Sequence, residues 1–452
     1  MKLILKLLSR YPLFGLVLFY GILTIPQLNK GLSSLDGHGT VASINRILDG
    51  EGYQPSRPPG HPSTEIALYL PIAYGVKNLW DKDFNWETYN YLQWFGGLAS
   101  IVSFYLLLKG VCASSSIIII GTLTLLTSNL FLGNAMDGSE FNWGLAFLFC
   151  SFRLMVLSFR TKNKSLTKSI VFSSALLAVA TGFRQEFIFV FLVYPILFHL
   201  HPALKPKDLI RWIPIALVFG IIVWLPVLIQ NSFSLPMPMP MPQTDALTEF
   251  RNRMLGGGYK LLFLGLTVPV SIVLLGWMVR IIESHQKLMR SDREICFVYI
   301  SACLLTATYI GFYFTYPYKP DFILIVIPLL ILLSASLQWK KELYCLSVAT
   351  LVSLVVQIDI FEERNLTHPH IESSLYWQKI KEKPHHKREL LQREIGLVQG
   401  KKKVLLLTNL WSSDFNYLLE KKILDLIWAE LPVEWHSSSF SIYQHPQSKM
   451  DL

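Results

Sequence analysis

Apolar runs recur through the first 360 residues, and polar stretches separate them. A hydrocarbon core about 30 Å thick is crossed by about 20 helical residues at 1.5 Å each. Runs of that kind fall at roughly 11–29, 88–108, 114–133, 141–158, 168–183, 186–200, 211–230, 259–282, 295–314, 321–338 and 342–360. The pattern predicts an all-α polytopic membrane protein with about eleven transmembrane helices. Two segments decide the count. EIALYLPIAYGVKNL, 65–79, is apolar but short, and Pro71 and Lys77 interrupt it, so we place it along the membrane surface. Residues 168–200 would make one helix about 50 Å long, and Gly182, Arg184 and Glu186 break it into two spans.

Basic residues then collect on one side, in the short loops around Lys109, Arg160–Lys168, Lys205–Arg211, Arg280–Arg293 and Lys340–Lys341. The positive-inside rule makes that side cytoplasmic, with the N-terminus. The basic, then apolar N-terminus lacks a small-residue cleavage site and is expected to be a retained first span. The long loops face outward: 30–87, 134–140, 183–187, 231–258 and 315–320. A transmembrane domain, 1–360, is thus followed by an extracytoplasmic one, 361–452. The tail alternates a strand-like run, KKKVLLLTNLW, with a helical run after Ser412 and Ser413, which predicts a small α/β domain. Loop 231–258 carries PMPMPMP, a polyproline-II signature, and then a helical TDALTEFRNRML.

Composition agrees with the pattern. The chain is 52% hydrophobic and only 16% charged, where soluble domains carry about 25% charge. Its net charge of +10 comes from the loops and the tail and does not point to nucleic acid. The five cysteines lie in or beside apolar spans without a CxxC pair. No disulfide framework and no cysteine metal site is expected.

Candidate chemistry concentrates in Leu35–Glu65, LDGHGTVASINRILDGEGYQPSRPPGHPSTE. Val41, Ile44, Ile47 and Leu48 make the apolar stripe of a helix lying on the membrane, with Asp36 at its N-terminal end. Asp36 is either a helix cap or a general base or metal ligand at the surface. In SRPPGHP, Ser56–Pro62, two prolines and a glycine fix the backbone and aim Arg57. That hook either seats helix 65–79 or presents Arg57 to an anion. His38 and His61 are structural hydrogen-bonding residues or contributors to the same site. Asp137 and Glu140 in NAMDGSEF form a solvated turn or an acidic site. Arg184 and Glu186 sit at a two-helix turn and make an ion pair or bind a phosphate. Lys319, next to Tyr318 and between Pro317 and Pro320, and Arg251 and Arg253 are further candidates for an anion.

The run from Asp36 to Pro62 resembles the first outer loop of GT-C-fold glycosyltransferases. It is most similar to the group of dolichyl-phosphate-mannose protein mannosyltransferases and aminoarabinose transferases (glycosyltransferase family 39-like). That group shows an acid after the first span, a surface helix closed by a glycine and an aromatic, and then a proline-rich turn. TGFRQE, Thr181–Glu186, and YPYKPDFILIVIPLL, Tyr316–Leu330, resemble later features of the group. The likeness spans about residues 1–340 and is sharp over 35–62. It implies a polyprenyl-phosphate-linked sugar donor and a lipid, glycan or protein acceptor at the outer, periplasmic or lumenal, face of the membrane, with a bacterial inner membrane favoured over the ER. It implies Asp36 as the catalytic acid–base residue. Arg57, Arg184, Lys319, Tyr318, His61 and Glu186 would stand around the substrate and its phosphate. Many members carry two adjacent acids where this chain has Asp36-Gly37. Oligosaccharyltransferases of the wider superfamily keep metal-binding acids in the second outer loop. Asp36, Asp137 and Glu140 would then form an oxygen-rich site for magnesium or manganese.

Two other functions compete. A lipid transporter or flippase predicts repeats with broken helices at matching positions, and no repeat stands out. A non-catalytic assembly subunit predicts a degenerate acidic site, for which Gly37 is the motive.

Overall fold

The computed structural model describes residues 11–28, 35–53, 64–112, 114–136, 140–160, 164–230, 251, 254–255, 257–258, 260–289, 291–315, 323–362, 365–373, 405–408, 435–436 and 440–443. Helices dominate them. In order they are α1 (Pro12–Thr24), α2 (Leu35–Leu48), α3 (Thr64–Trp80), α4 (Trp86–Val111), α5 (Ser115–Leu126), α6 (Asn129–Met136), α7 (Phe141–Ser158) and α8 (Lys164–Phe183). A 3-10 segment, Gln185–Leu192, leads to α9 (Val193–Leu200) and α10 (Pro206–Gln230). A π-helical turn, Lys260–Gly265, precedes α11 (Val268–Met289), α12 (Arg293–Thr315), α13 (Val326–Ser336) and α14 (Lys340–Val355).

Six of these helices are long and apolar enough to cross a membrane, or seven if α5 and α6, bent by 57° at their junction, count as one span. The remaining four predicted spans hold the shorter helices α1, α9, α13 and α14, of 13, 8, 11 and 16 residues. The expected span 342–360 ends early, at Val355. From Val356 the sequence reads VQIDIFE, apolar and polar in alternation. That period of two makes a strand, and β1 (Val356–Glu362) pairs antiparallel with β2 (Asn365–Ser373). In the tail, β3 (Leu405–Thr408), β4 (Trp435–His436) and β5 (Phe440–Tyr443) form an antiparallel sheet in the order β3-β5-β4. The expected tail helix lies outside the described residues.

The chain divides into two compact units. The first comprises Met1–Gln27, Gln93–Trp224 and Pro238–Lys381. Its core is a bundle around α13, all eleven residues of which are buried. Side chains satisfy the helix breaks. Thr127, at the α5–α6 bend, bonds Thr350 at 2.9 Å, and the Asn129 amide donates to the Ser353 carbonyl at 2.9 Å. Thr267, in the left-handed region at φ +68°, bonds Ser353 at 2.5 Å. The Trp212 indole stacks on Tyr194 and donates to Ser174 at 2.5 Å, tying α10 to α8 and α9. Arg184 has extended backbone (φ −142°, ψ 118°). The predicted break of 168–200 therefore falls at the residue that carries its charge.

The second unit comprises Leu28–Leu92, Leu225–Met237 and Glu382–Leu452. Here α2 packs along α3. Val41 and Ile44 are fully buried in protein, so that end of the α2 stripe packs on its neighbours, while Ile47 and Leu48 are partly exposed. Asn45 acts as a backbone clamp: its amide donates to the Phe84 carbonyl at 2.9 Å and accepts from the Phe84 N–H at 3.0 Å. At the surface, Lys77 bridges Asp83 at 3.0 Å and Asp49 at 3.1 Å. Those hydrogen bonds, Asp83 first, raise the Lys77 pKa. The small contribution of such exposed pairs is present below the unfolded value of 10.5 and is lost as pH rises through the folded one.

Truncating the clamp tests this arrangement. Asn45→Ala leaves a buried N–H and C=O of Phe84 unsatisfied. Thermal unfolding in detergent should show a loss of about 1–3 kcal/mol.

Candidate functional site

The first candidate site lies in the second unit, at the start of α2. Asp36 is the second residue of that helix, inside the first turn and past the capping position. A carboxylate there complements the partial positive charge of the helix N-terminus. Positions 36 and 40 are four residues apart and share a helix face. The helix ends on Gly50 and Gly52, at φ +85° and +81°, where glycine takes the left-handed backbone at no steric cost. Tyr53 follows, its phenol pushed up to about 12 by burial. The glycine-and-aromatic close of the surface helix is therefore present in the structure.

Gly37 has a steric reason to be glycine. A Cβ there would lie 2.5 Å from Tyr89 Cε1 and 2.6 Å from Trp86 Cζ3. These two rings stack at 5.3 Å, and Tyr69 meets Tyr89 edge-on at 5.7 Å. The aromatic wall fills the volume that a second acid at position 37 would need.

A second acid arrives from another helix. Glu65, in the first turn of α3, is 1% exposed. Its Oε2 accepts from the Thr40 hydroxyl at 3.0 Å and its Oε1 from the Tyr89 hydroxyl at 2.7 Å. Because Thr40 shares the face of Asp36, this carboxylate is fixed about one helical turn along α2 from it. The sequence analysis missed Glu65. An acid opening an apolar helix looks like an ordinary dipole complement. The available signal was the hydroxyl at Thr40, one turn past Asp36.

The second cluster lies in the first unit. The Arg184 Nη1 donates to Glu140 Oε1 at 2.5 Å, and its Nε and Nη2 donate to Glu186 Oε1 at 3.0 and 2.6 Å. The guanidinium carbon sits 3.8 Å over the Phe141 ring. All three charged residues are buried, at 7%, 1% and 8% exposure in the order Arg184, Glu140, Glu186. Gly144 lets the break approach α7, since a Cβ there would meet Phe187 at 2.5 Å. From α12, the Tyr309 hydroxyl donates to the Glu186 backbone carbonyl at 2.9 Å.

Arg184 and Glu186 form the ion pair that is one of their two readings, and Glu140 joins them. The solvated-turn alternative for Glu140 is overturned: the acid is buried because it neutralises Arg184. Asp137, Arg57, His61, Tyr318, Lys319 and Arg253 lie outside the described residues, as do the side chains of Asp36 and His38. Arg251 is exposed. Among the described residues no group of three or more His, Cys, Asp or Glu is placed to hold a metal. Of the expected metal ligands only the Glu140 side chain is described, and its Oε1 is engaged by Arg184.

Two variants probe these geometries. Gly37→Ala forces the Tyr89 and Trp86 rings to move and should lower stability by about 1–3 kcal/mol in thermal unfolding. Arg184→Met leaves two buried carboxylates without their cation. A loss of about 3–5 kcal/mol is expected, with Arg184→Lys recovering part of it.

No family model matches the chain, and no curated protein matches it. Among solved structures the chain is similar to ArnT from Cupriavidus metallidurans in the apo state, with a TM-score of 0.48 and 14% identity over 73% of this chain and 60% of that one. It is also similar to the same protein bound to undecaprenyl phosphate, with a TM-score of 0.45 and 14% identity over 76% and 63% of the two chains. The chain thus spans about 60% of the length of those proteins. ArnT is an aminoarabinose transferase of GT-C fold. The likeness says what the chain is similar to and assigns it no substrate and no residue role.

Proposed function

We propose that the chain is a GT-C-type glycosyltransferase that moves a sugar from a polyprenyl phosphate to an acceptor hydroxyl at the outer face of the membrane. The observation that carries this reading is the buried Glu65 carboxylate, held by Thr40 and Tyr89 one turn along the helix from Asp36. The loop resemblance over 36–62 and the multi-pass helical architecture support it. About eleven spans, a cytoplasmic N-terminus and an outer α/β tail complete the proposed topology.

Asp36 takes the proton of the acceptor hydroxyl as its oxygen attacks the anomeric carbon. The bond from that carbon to the phosphate oxygen breaks, the configuration inverts, and polyprenyl phosphate leaves. Departing phosphate needs fixed cations. Arg57 and Lys319 fill that role, with His61 and Tyr318 as hydrogen-bonding partners. Arg184, held by Glu140 and Glu186, stiffens the helix break and reaches a phosphate only by giving up a carboxylate. Magnesium or manganese, where bound, would be held by Asp36 and would supply Lewis acidity there.

The test is transfer of radiolabelled sugar from polyprenyl phosphate in membranes lacking the native gene. Asp36→Asn should lower the rate about 10²–10⁴-fold at unchanged protein level. Full activity would remove Asp36 from the chemistry, and loss of wild-type activity in EDTA would reveal a metal.

A further inference from the structure

In the first unit, α4 and α7 run side by side. Phe104 packs on Phe149 with ring centroids at 4.8 Å, and the Cys150 thiol approaches the Ser103 hydroxyl at 3.4 Å. Further along this seam α4 reaches Gly110, where a Cβ would meet Leu157 at 3.8 Å and Arg153 Cγ at 3.9 Å. The missing side chain at Gly110 makes room for the Arg153 stem. Arg153 stands inside a membrane-crossing helix, five residues before the end of α7 at Ser158. That is about 7.5 Å of helix rise, within reach of the headgroup layer for an arginine that snorkels.

The charge of Arg153 has no protein partner among the described residues. Arg46, Arg160, Arg184 and Arg280 each pair with a carboxylate: Glu51, Glu294, Glu140 with Glu186, and Glu342. Arg153 pairs with none, and its Nε is shut off from solvent without a hydrogen-bond acceptor. Lys109, one residue before Gly110, is exposed at the end of α4. Lys109 thus adjoins in sequence the glycine that packs on the Arg153 stem, at one end of an apolar seam where a buried donor still needs an oxygen. An ionisable group at membrane depth is costly unless paired, and basic clefts between helices take anionic headgroups.

We propose that Arg153 and Lys109 form a headgroup site for the phosphodiester of an anionic membrane lipid, in the leaflet at the Arg160 end of α7. Arg153 Nε and one terminal nitrogen give two parallel bonds to phosphate oxygens. Lys109 adds a second charge, and the acyl chains lie along the seam. Pairing of Arg160 with Glu294 keeps that neighbouring guanidinium from competing. The site is separate from Asp36 and does not depend on the proposed transferase activity.

The test uses the full chain, purified in detergent and stripped of lipid. Dioleoyl phosphatidylglycerol, dioleoyl phosphatidylcholine or inorganic phosphate is added, and native mass spectrometry reads retained adducts. The wild type should hold phosphatidylglycerol in preference to phosphatidylcholine. Arg153→Gln should weaken that binding about tenfold, and Arg153→Lys and Lys109→Gln should weaken it less. Arg293→Gln, at an exposed arginine elsewhere, should change nothing. Equal retention of the two lipids, or equal loss in Arg293→Gln, overturns the site. Displacement by inorganic phosphate at the lipid's own concentration overturns the lipid assignment. If Arg153→Gln does not fold, wild-type affinity in both Arg153→Lys and Lys109→Gln overturns the proposal.

Discussion

Every backbone N–H and C=O inside an apolar bundle must find a partner within the protein, because no water or lipid tail supplies one. The first unit is shaped by that constraint. Its helices break at Thr127–Ser128, at Arg184–Leu192 and before Thr267, and each break frees polar groups. At the second, the Tyr309 hydroxyl of α12 donates to the freed Glu186 carbonyl; at the first and the last, side chains at the break are tied to α14, Thr127 to Thr350, Asn129 to the Ser353 carbonyl and Thr267 to the Ser353 hydroxyl. On α12, Tyr313 also reaches the Gly257 carbonyl, at 3.1 Å. Tyr309 of α12 thus anchors the backbone of the 3-10 break, and hydroxyls of α14 fix the side chains at the other two.

Charge follows the same logic at higher stakes. Burying Arg184 would cost several kcal/mol without compensation. Two carboxylates and an aromatic face surround it. Among the described residues the three side chains hold two carboxylates and one guanidinium. Arg153 shows another outcome: a partly buried guanidinium whose Nε has no acceptor among the described residues.

The helices were legible because their apolar runs are long and their breaks carry Gly182, Arg184 and Glu186. The last span was misjudged because composition outweighed periodicity: VQIDIFE is apolar on average but alternates. The stripe of α2 was read correctly as a face, and protein covers it at Val41 and Ile44. A periodicity says that a side is buried and not what buries it. Asp36 stood out in sequence by its isolation beside a proline-rich hook. Glu65 was not, because its significance rests on Thr40 and Tyr89, 25 residues before it and 24 after it in sequence. Gly37 looked like a lost acid from sequence and is a contact surface for two aromatic rings in the structure.

The split origin of the two carboxylates has a consequence for biogenesis. Asp36 leaves the ribosome with the first span, but Glu65 comes with α3 and is held by a hydroxyl of α4. A nascent chain carrying only its first helices would present Asp36 alone, without the wall of Tyr69, Trp86 and Tyr89. The Glu65 carboxylate gains its second hydroxyl donor only when the start of α4 docks.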